Sequence, residues 1–303
     1  MRATLLLKLD LKPSYEMLNP GVFLTVVYPQ SLPYLRDVRN SAMNQTCKDF
    51  DFIIINDGCE TSKIKKELSG LNTIILEAEG GFSRNRLQGI DYARSRGYKY
   101  ILFCDADDSF TPDRYLHTVK AFEYSQADII VSNLNIVDER LKLIIKDYFS
   151  KEIPTERWID TEFIKTKNIF GMSNTAIRLS SIQNGLKIPE TNIVDWYLFT
   201  VLLQQGLKAK YVTESMVNYR QHSTNMIGIN KFNVEGFRRL ARLKSEHYRL
   251  LLENGLMQYE TQHQATTSLQ HLTDAEIENA IKRGLAAHPQ PLWWQIISDL
   301  QDS

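Results

Sequence analysis

Residues 100–108 read Tyr100-Ile-Leu-Phe-Cys-Asp-Ala-Asp-Asp108. A short run that is apolar at every position suits a strand buried on both faces, as in a parallel sheet covered by helices. The strand runs straight into three carboxylates within four residues. Carboxylates packed this closely repel one another, and beside an apolar strand they are costly without a cation. Hard divalent ions take oxygen ligands, and Mg²⁺ commonly uses one or two carboxylates together with substrate phosphates. The cluster therefore suits a metal–diphosphate site; the competing reading is a solvated acidic turn whose aspartates cap the next helix. A calcium loop of the EF-hand kind is excluded, because Phe110 stands where the glycine is required and Leu116 where the terminal glutamate is required.

Working outward, the same alternation recurs on both sides. Val22–Tyr28 (VFLTVVY) is a buried strand, followed by a helix with Leu32, Leu35, Val38, Ala42 and Met43 on one face. Phe52–Ile55 is a second strand, ended by the turn signal Asn56-Asp57-Gly58. A short helix over Ser62–Leu68, a strand over Thr73–Leu76 and a helix over Arg84–Arg96 precede the acidic strand. After it, Thr111-Pro112 has the N-cap and first-turn proline that open a helix to about Tyr124, and Asp128–Ser132 is a further strand. Beyond residue 133 the alternation loosens, with a hairpin around Asp138-Glu139, a helix over Asp195–Gln205 and strand over Lys210–Tyr219. From Val234 onward the pattern is helical. Strands separated by helices imply a mostly parallel α/β sheet, in which Asp57 and Asp105–Asp108, all at strand ends, face one cleft.

Composition narrows the functional classes. Thirty-six Lys and Arg balance thirty-six Asp and Glu, so global charge supports no nucleic-acid partner. Cys47, Cys59 and Cys104 have no zinc-ligand spacing and read as reduced thiols. The amino-terminal apolar run is too short for a signal peptide, and no run reaches transmembrane length. The expectation is a cytoplasmic protein, with peripheral association at the inner membrane face as an alternative. No P-loop and no dinucleotide fingerprint is present.

Four stretches, taken in order, carry a family resemblance. Ser31–Gly58 (SLPYLRDVRNSAMNQTCKDFDFIIINDG) resembles the opening of the family 2 glycosyltransferases. Gly80-Gly-Phe-Ser83 with Arg86 and Gly89, running on to the acidic strand, resembles that family's glycine-rich and acidic motifs. Val194-Asp195-Trp196 is similar to its acidic pair, and Tyr219-Arg-Gln-His222 to its Tyr-Arg-x-His. The resemblance spans residues 22–228 and implies a GT-A fold: a Rossmann-like, mostly parallel sheet flanked by helices. The division it suggests is an amino-terminal extension over 1–20, a GT-A domain over 21–230 and a helical region over 231–303.

The resemblance also implies an activity, the inverting transfer of a sugar from a nucleotide-diphospho-sugar to a saccharide or glycolipid acceptor. Val27, Tyr28 and Asp57 would line the nucleotide base, Arg86 the phosphates or donor sugar, and Asp105 the ribose side. Asp107 would ligate Mn²⁺ or Mg²⁺, His222 would add a metal or phosphate contact, and Asp195 would be the general base. The chemistry is coherent: a cation offsets charge on the leaving diphosphate, and a carboxylate opposite takes the acceptor's proton. Departures are Asn56 before Asp57, Leu87 where an asparagine is expected, Val194 before Asp195, and Pro29-Gln30 after the first strand. Each residue has a plainer reading as well. Asp57 is then a turn residue, Arg86 a surface helix charge, His222 a loop histidine and Asp195 a helix cap. The competing functions are a catalytically dead sugar-nucleotide or glycan-binding module and a sugar nucleotidyltransferase.

His247, His263, His271 and His288 show no ligand spacing and are expected at the surface. In the tail, Thr273-x-x-Glu276 is a capping box opening a helix with Ile277, Ala280 and Ile281 on one side. Trp293-Trp294 is expected to pack back on the α/β domain. Self-association and weak membrane-surface contact through these helices are the alternatives.

Overall fold

In a computed structural model of the chain, residues 20–222, 233–287 and 292 are described. Strand β1 (Gly21–Val27) is buried along its whole length because it has parallel neighbours on both sides. On one side stand β2 (Phe50–Asn56) and then β3 (Thr73–Glu77); on the other stands β4 (Tyr100–Phe103). The helices between them are α1 (Leu35–Met43), α2 (Thr61–Glu67) and α3 (Phe82–Ser95). Strand order therefore reverses at β1, and the carboxyl ends of β1 and β4 open a crevice at the reversal. A buried aspartate inside β2 is fully used: Asp51 accepts from the Tyr98 hydroxyl and the Asn72 amide, both at 2.6 Å.

The second half completes the sheet in mixed fashion. It comprises β5 (Ser109–Phe110), α4 (Arg114–Ser125), β6 (Ile129–Val137), β7 (Leu143–Ile145), β8 (Trp158–Ile159), α5 (Thr161–Thr166), β9 (Thr175–Arg178), α6 (Val194–Gln204) and β10 (Ala209–Arg220). The order is β3-β2-β1-β4-β9-β6-β10-β5, with β7 on β6 and β8 on β10. Strands β6 and β10 run parallel, and β9 is antiparallel to both β4 and β6. The β6–β7 pair is the hairpin expected around Asp138. Helix α6 is buried from Trp196 through Leu203, so its sequence is apolar on all sides.

Several sequence expectations need correction. Helix α4 starts at Arg114 with Asp113 at its N-cap, so Thr111-Pro112 lies in the approach to the helix and not in its first turn. Met43 is exposed although it follows the apolar spacing of α1. His247 is fully buried, stacked on Trp196 with ring centroids 4.0 Å apart. It lies on the inward face of the amphipathic helix α7 (Val234–Glu253), a placement that a search for ligand spacing does not test. Burial and the neighbouring Lys244 hold its imidazole well below the ordinary range. His263 is half-buried, His271 is exposed, and His288 lies outside the described residues.

Helices α7, α8 (Glu260–Ser268) and α9 (Asp274–Ala287) share a small apolar cluster of Phe237, Ala241, Leu269, Ile277 and Ile281. Tyr248, Leu251, Tyr259 and Leu292 join the main core instead. The helical region thus packs back on the sheet domain, and the capping box forms, with Glu276 accepting the Thr273 N–H at 2.7 Å. Trp293-Trp294 lies outside the described residues.

Gly89 controls how closely α3 approaches β1. A β-carbon there would overlap the Leu24 methyl groups, one of them at 2.6 Å. Gly89→Ala should destabilise the protein by about 1–3 kcal/mol through overpacking, measurable by urea unfolding. An unchanged midpoint would show that Leu24 yields freely.

Candidate active site

The strand ends are tied together before any functional side chain is placed. The Asp57 N–H donates to the Val27 carbonyl at 2.7 Å, holding the ends of β1 and β2 side by side. Val27 is itself fully buried and offers only its strand-end backbone. Tyr28, 37% exposed, presents its ring to the crevice. Burial raises the Tyr28 phenol, and so do Asp107 and Asp105, while Arg86 opposes them. These side chains are therefore near enough to act on one another through charge.

Asp57 is positioned by a residue that the sequence did not single out. Asn85, buried in the first turn of α3, donates from its amide to Asp57 at 3.2 Å and accepts the Gly80 N–H at 3.1 Å. The missing asparagine at position 87 is thus matched by one two residues earlier. The only sequence signal was its distance from Gly80-Gly81. Gly81 itself takes φ +85, and a β-carbon there would overlap the Glu190 carboxylate, its Cδ at 2.7 Å. Glu190 in turn accepts the backbone N–H groups of Phe82 and Ser83, satisfying the start of α3. Arg86, one turn on, is half-buried, with its guanidinium hydrogen-bonded to the Phe82 carbonyl at 3.2 Å.

The structure sorts the three clustered aspartates. Asp108 is buried and accepts the Arg220 N–H at 2.7 Å. Burial and the two neighbouring carboxylates hold it well above the usual carboxylate range, so it serves the turn. Asp105 is pushed up to about 7, chiefly by burial and then by Asp107; Arg86 opposes the shift and Asp195 adds to it. Asp107 is the outward member. Its Oδ2 lies 2.9 Å from His222 Nε2, and the His222 ring stacks on Tyr34 at 5.4 Å.

Beneath the turn sits Arg220, 2% exposed and also missed as a site residue by sequence reading, although it lies inside a quoted motif. Its Nε donates to the Asp107 carbonyl at 2.6 Å, one Nη to the Glu139 carbonyl, and the other to the Asp37 carboxylate at 2.6 Å. Its guanidinium also lies over the Tyr34 ring at 4.7 Å. A second buried cation, Arg114, lies 5.4 Å from the Phe23 ring and 5.0 Å from the Phe110 ring, which stack on each other, and donates to the Phe103 carbonyl at the end of β4.

Across the crevice, Asp195 is the second residue of α6. The N-cap is Ile193, so the helix-cap reading of Asp195 is corrected. The carboxylate accepts the adjacent Trp196 N–H at 2.7 Å and the Asn168 amide at 3.4 Å. A helix start ordinarily favours the ionised form. Here burial outweighs that, the two hydrogen bonds and Arg86 together, and the carboxyl is pushed up to about 6. Among the described residues no three His, Cys, Asp or Glu side chains converge as a metal cage; Asp107 and His222 form a two-residue donor pair.

The fold is that of the GT-A glycosyltransferases, with the acidic turn at its strand-order reversal. The Glycosyl transferase family 2 profile matches residues 23–181, and the chain belongs to that family. An uncharacterized glycosyltransferase, MJ1057, of Methanocaldococcus jannaschii is 31% identical over 158 residues, covering 45% of this chain and 53% of its own. The hyaluronan synthase of Pasteurella multocida is 27% identical over 211 residues, covering 66% of this chain and 21% of that enzyme. The chain thus spans about half or less of these relatives. Among solved structures, Staphylococcus aureus TarS 1–349 superposes with a TM-score of 0.57 at 14% identity, over 92% of this chain and 79% of that one. The mannosyltransferase PcManGT of Pyrobaculum calidifontis, solved with GDP-Man and Mn²⁺, superposes with a TM-score of 0.59 at 12% identity, over 93% and 79%. At these identities the likeness concerns the fold.

Proposed function

We propose that this crevice transfers a sugar, with inversion, from a nucleotide-diphospho-sugar to a hydroxyl of a saccharide or glycolipid acceptor. The observation that carries this reading is the convergence of Asp105, Asp107, Arg86 and Asp195. Three carboxylates and one guanidinium from three separate elements lie within electrostatic reach of Asp105 or of Tyr28 near the strand-order reversal. Tyr28 and Asp57 receive the nucleotide base, the Asp57 carboxylate accepting a ring N–H. Arg86 meets the diphosphate or the donor sugar, and Asp105 faces the ribose side.

The donor pair Asp107 and His222 suits Mn²⁺ or Mg²⁺ with its remaining positions filled by phosphate oxygens and water. When bound, such an ion offsets the charge gathering on the leaving nucleoside diphosphate. Asp195 takes the acceptor hydroxyl's proton as that oxygen attacks the anomeric carbon and the bond to the diphosphate breaks. One displacement inverts the centre, and no covalent nucleophile is required. The half-buried position of Asp195 limits water near the attacking oxygen. Relatives named hyaluronan synthase and chondroitin synthase support an acceptor of the polysaccharide kind. No helix among the described residues is long and apolar enough to cross a membrane.

Calorimetric titration of UDP and GDP, with and without Mn²⁺, tests the site. Nucleotide binding should tighten with the ion, and Asp107→Ala should remove at least about tenfold of that gain. Equal, ion-independent affinity in both proteins would overturn the proposed metal site.

A further inference from the structure

At the opposite end of the sheet from the crevice lies a second concavity, a groove of about 550 Å³ where α4 ends, α6 ends and β10 begins. Its volume falls within the roughly 300–1,000 Å³ of small-molecule sites. Its lining is mostly apolar, with one large aromatic ring beside Leu203 and Leu207, and it carries polar groups at Gln126, Asp160, Thr161 and Lys208. Trp158 is 48% exposed, an unusual state for so large an apolar side chain, and it lines the groove. The ring is braced in place: Lys210, itself ion-paired with Glu156, holds its ammonium 5.8 Å from the Trp158 centroid. Backbone pairing of Trp158 with Lys210 further fixes its position on an edge strand.

Around this ring are groups that the fold leaves uncommitted. Among the described residues, the Gln126 amide, the Thr161 hydroxyl and the Lys208 ammonium form no hydrogen bond or ion pair within the protein, yet all three residues line the groove. Asp160 adds a carboxylate, one oxygen of which accepts the Phe163 N–H at 2.8 Å. A flat ring amid mixed donors and acceptors matches the chemistry of a sugar, which has an apolar C–H face and a rim of hydroxyls. A purely apolar partner would leave the amide, hydroxyl and ammonium desolvated and unpaired.

We propose that the Trp158 groove is an oligosaccharide-binding site distinct from the crevice. The two lie at opposite ends of β10, which is matched along its length by the nine residues of β6, so they are on the order of 25–30 Å apart at strand rise. Only a saccharide of many units reaches both, so the groove would hold a glycan chain at a distance from the reacting end. This proposal does not depend on the crevice being catalytic.

The test is calorimetry of the full chain with chitohexaose, cellohexaose and a hyaluronan octasaccharide, with no nucleotide present. At least one should bind; Trp158→Ala should weaken it about tenfold or more, and Trp158→Phe should retain most of the affinity. Asp107→Ala should bind as the parent does, because it alters only the crevice. The proposal is overturned by no binding of any of the three saccharides, by unchanged binding in Trp158→Ala, or by binding lost in Asp107→Ala. Concentration-dependent self-association abolished by Trp158→Ala in sedimentation would assign the groove to a second copy of the chain and likewise overturn it.

Discussion

Asp195→Asn should lower sugar transfer at least about 100-fold while leaving nucleotide binding and the fold in place. Asparagine keeps the shape of the side chain and can still accept the Trp196 N–H, but it cannot hold the acceptor's proton. Because Ile193 is the N-cap, a purely structural role for Asp195 would leave turnover nearly unchanged on this substitution. The pH profile separates the roles further. A base must be ionised, and burial pushes Asp195 up to about 6, so kcat/KM should fall as pH drops through about 6. That limb should vanish in whatever activity the variant retains.

Stability should move the other way. Asp195 binds its proton more tightly in the folded chain than in the unfolded one, where an aspartate titrates near about 4. Its ionisation therefore costs stability as pH rises from about 4 through 6. At pH 7–8 the Asn variant should be as stable as the parent or more so. A variant that keeps full turnover, or that loses activity only because it unfolds, would remove Asp195 from the base role.

Arg220→Ala should cost about 3 kcal/mol or more in unfolding free energy. The guanidinium joins the Asp107 carbonyl, the Glu139 carbonyl and the Asp37 carboxylate from a nearly solvent-free position. Its removal leaves these acceptors short of a donor and opens a cavity beneath Tyr34. Lysine keeps the charge but cannot present the planar fork, so Arg220→Lys should recover only part of the loss. Where the variant remains folded, the ion-dependent gain in nucleotide affinity should shrink, because Arg220 holds the backbone of the proposed ligand Asp107. A variant with parental stability and parental ion dependence would show that the turn holds its shape alone.

Sheet strands, helix order and the acidic turn were legible because they depend on local pattern. Continuous apolar runs such as Val22–Tyr28 and Tyr100–Cys104 have few physical solutions other than buried parallel strands. The carboxyl end of such a strand is where a crevice forms, so Asp57 and Asp105–Asp108, all at strand ends, are expected to line one cleft. What the sequence did not disclose are groups whose work is long-range. Asn85 reaches Asp57 across 28 positions, Glu190 meets α3 across 108, and Arg220 reaches Asp37 across 183. No spacing rule operates at such distances, because only chain folding brings those atoms together.

Within the acidic cluster the division of labour was equally hidden. Three aspartates look alike in sequence, yet Asp108 turns inward to the Arg220 backbone while Asp107 faces His222. Burial of His247 depended on which face of α7 the core covers, and the exposure of Trp158 depended on what β10 leaves uncovered. The sequence by itself determined the alternating elements, the strand-end location of the crevice and the carboxylates available to it. Tertiary structure decided which carboxylate is held inward, which is raised towards neutrality and which side chains brace them. Those properties depend on desolvation and on contacts between distant elements, which are set only when the chain has packed.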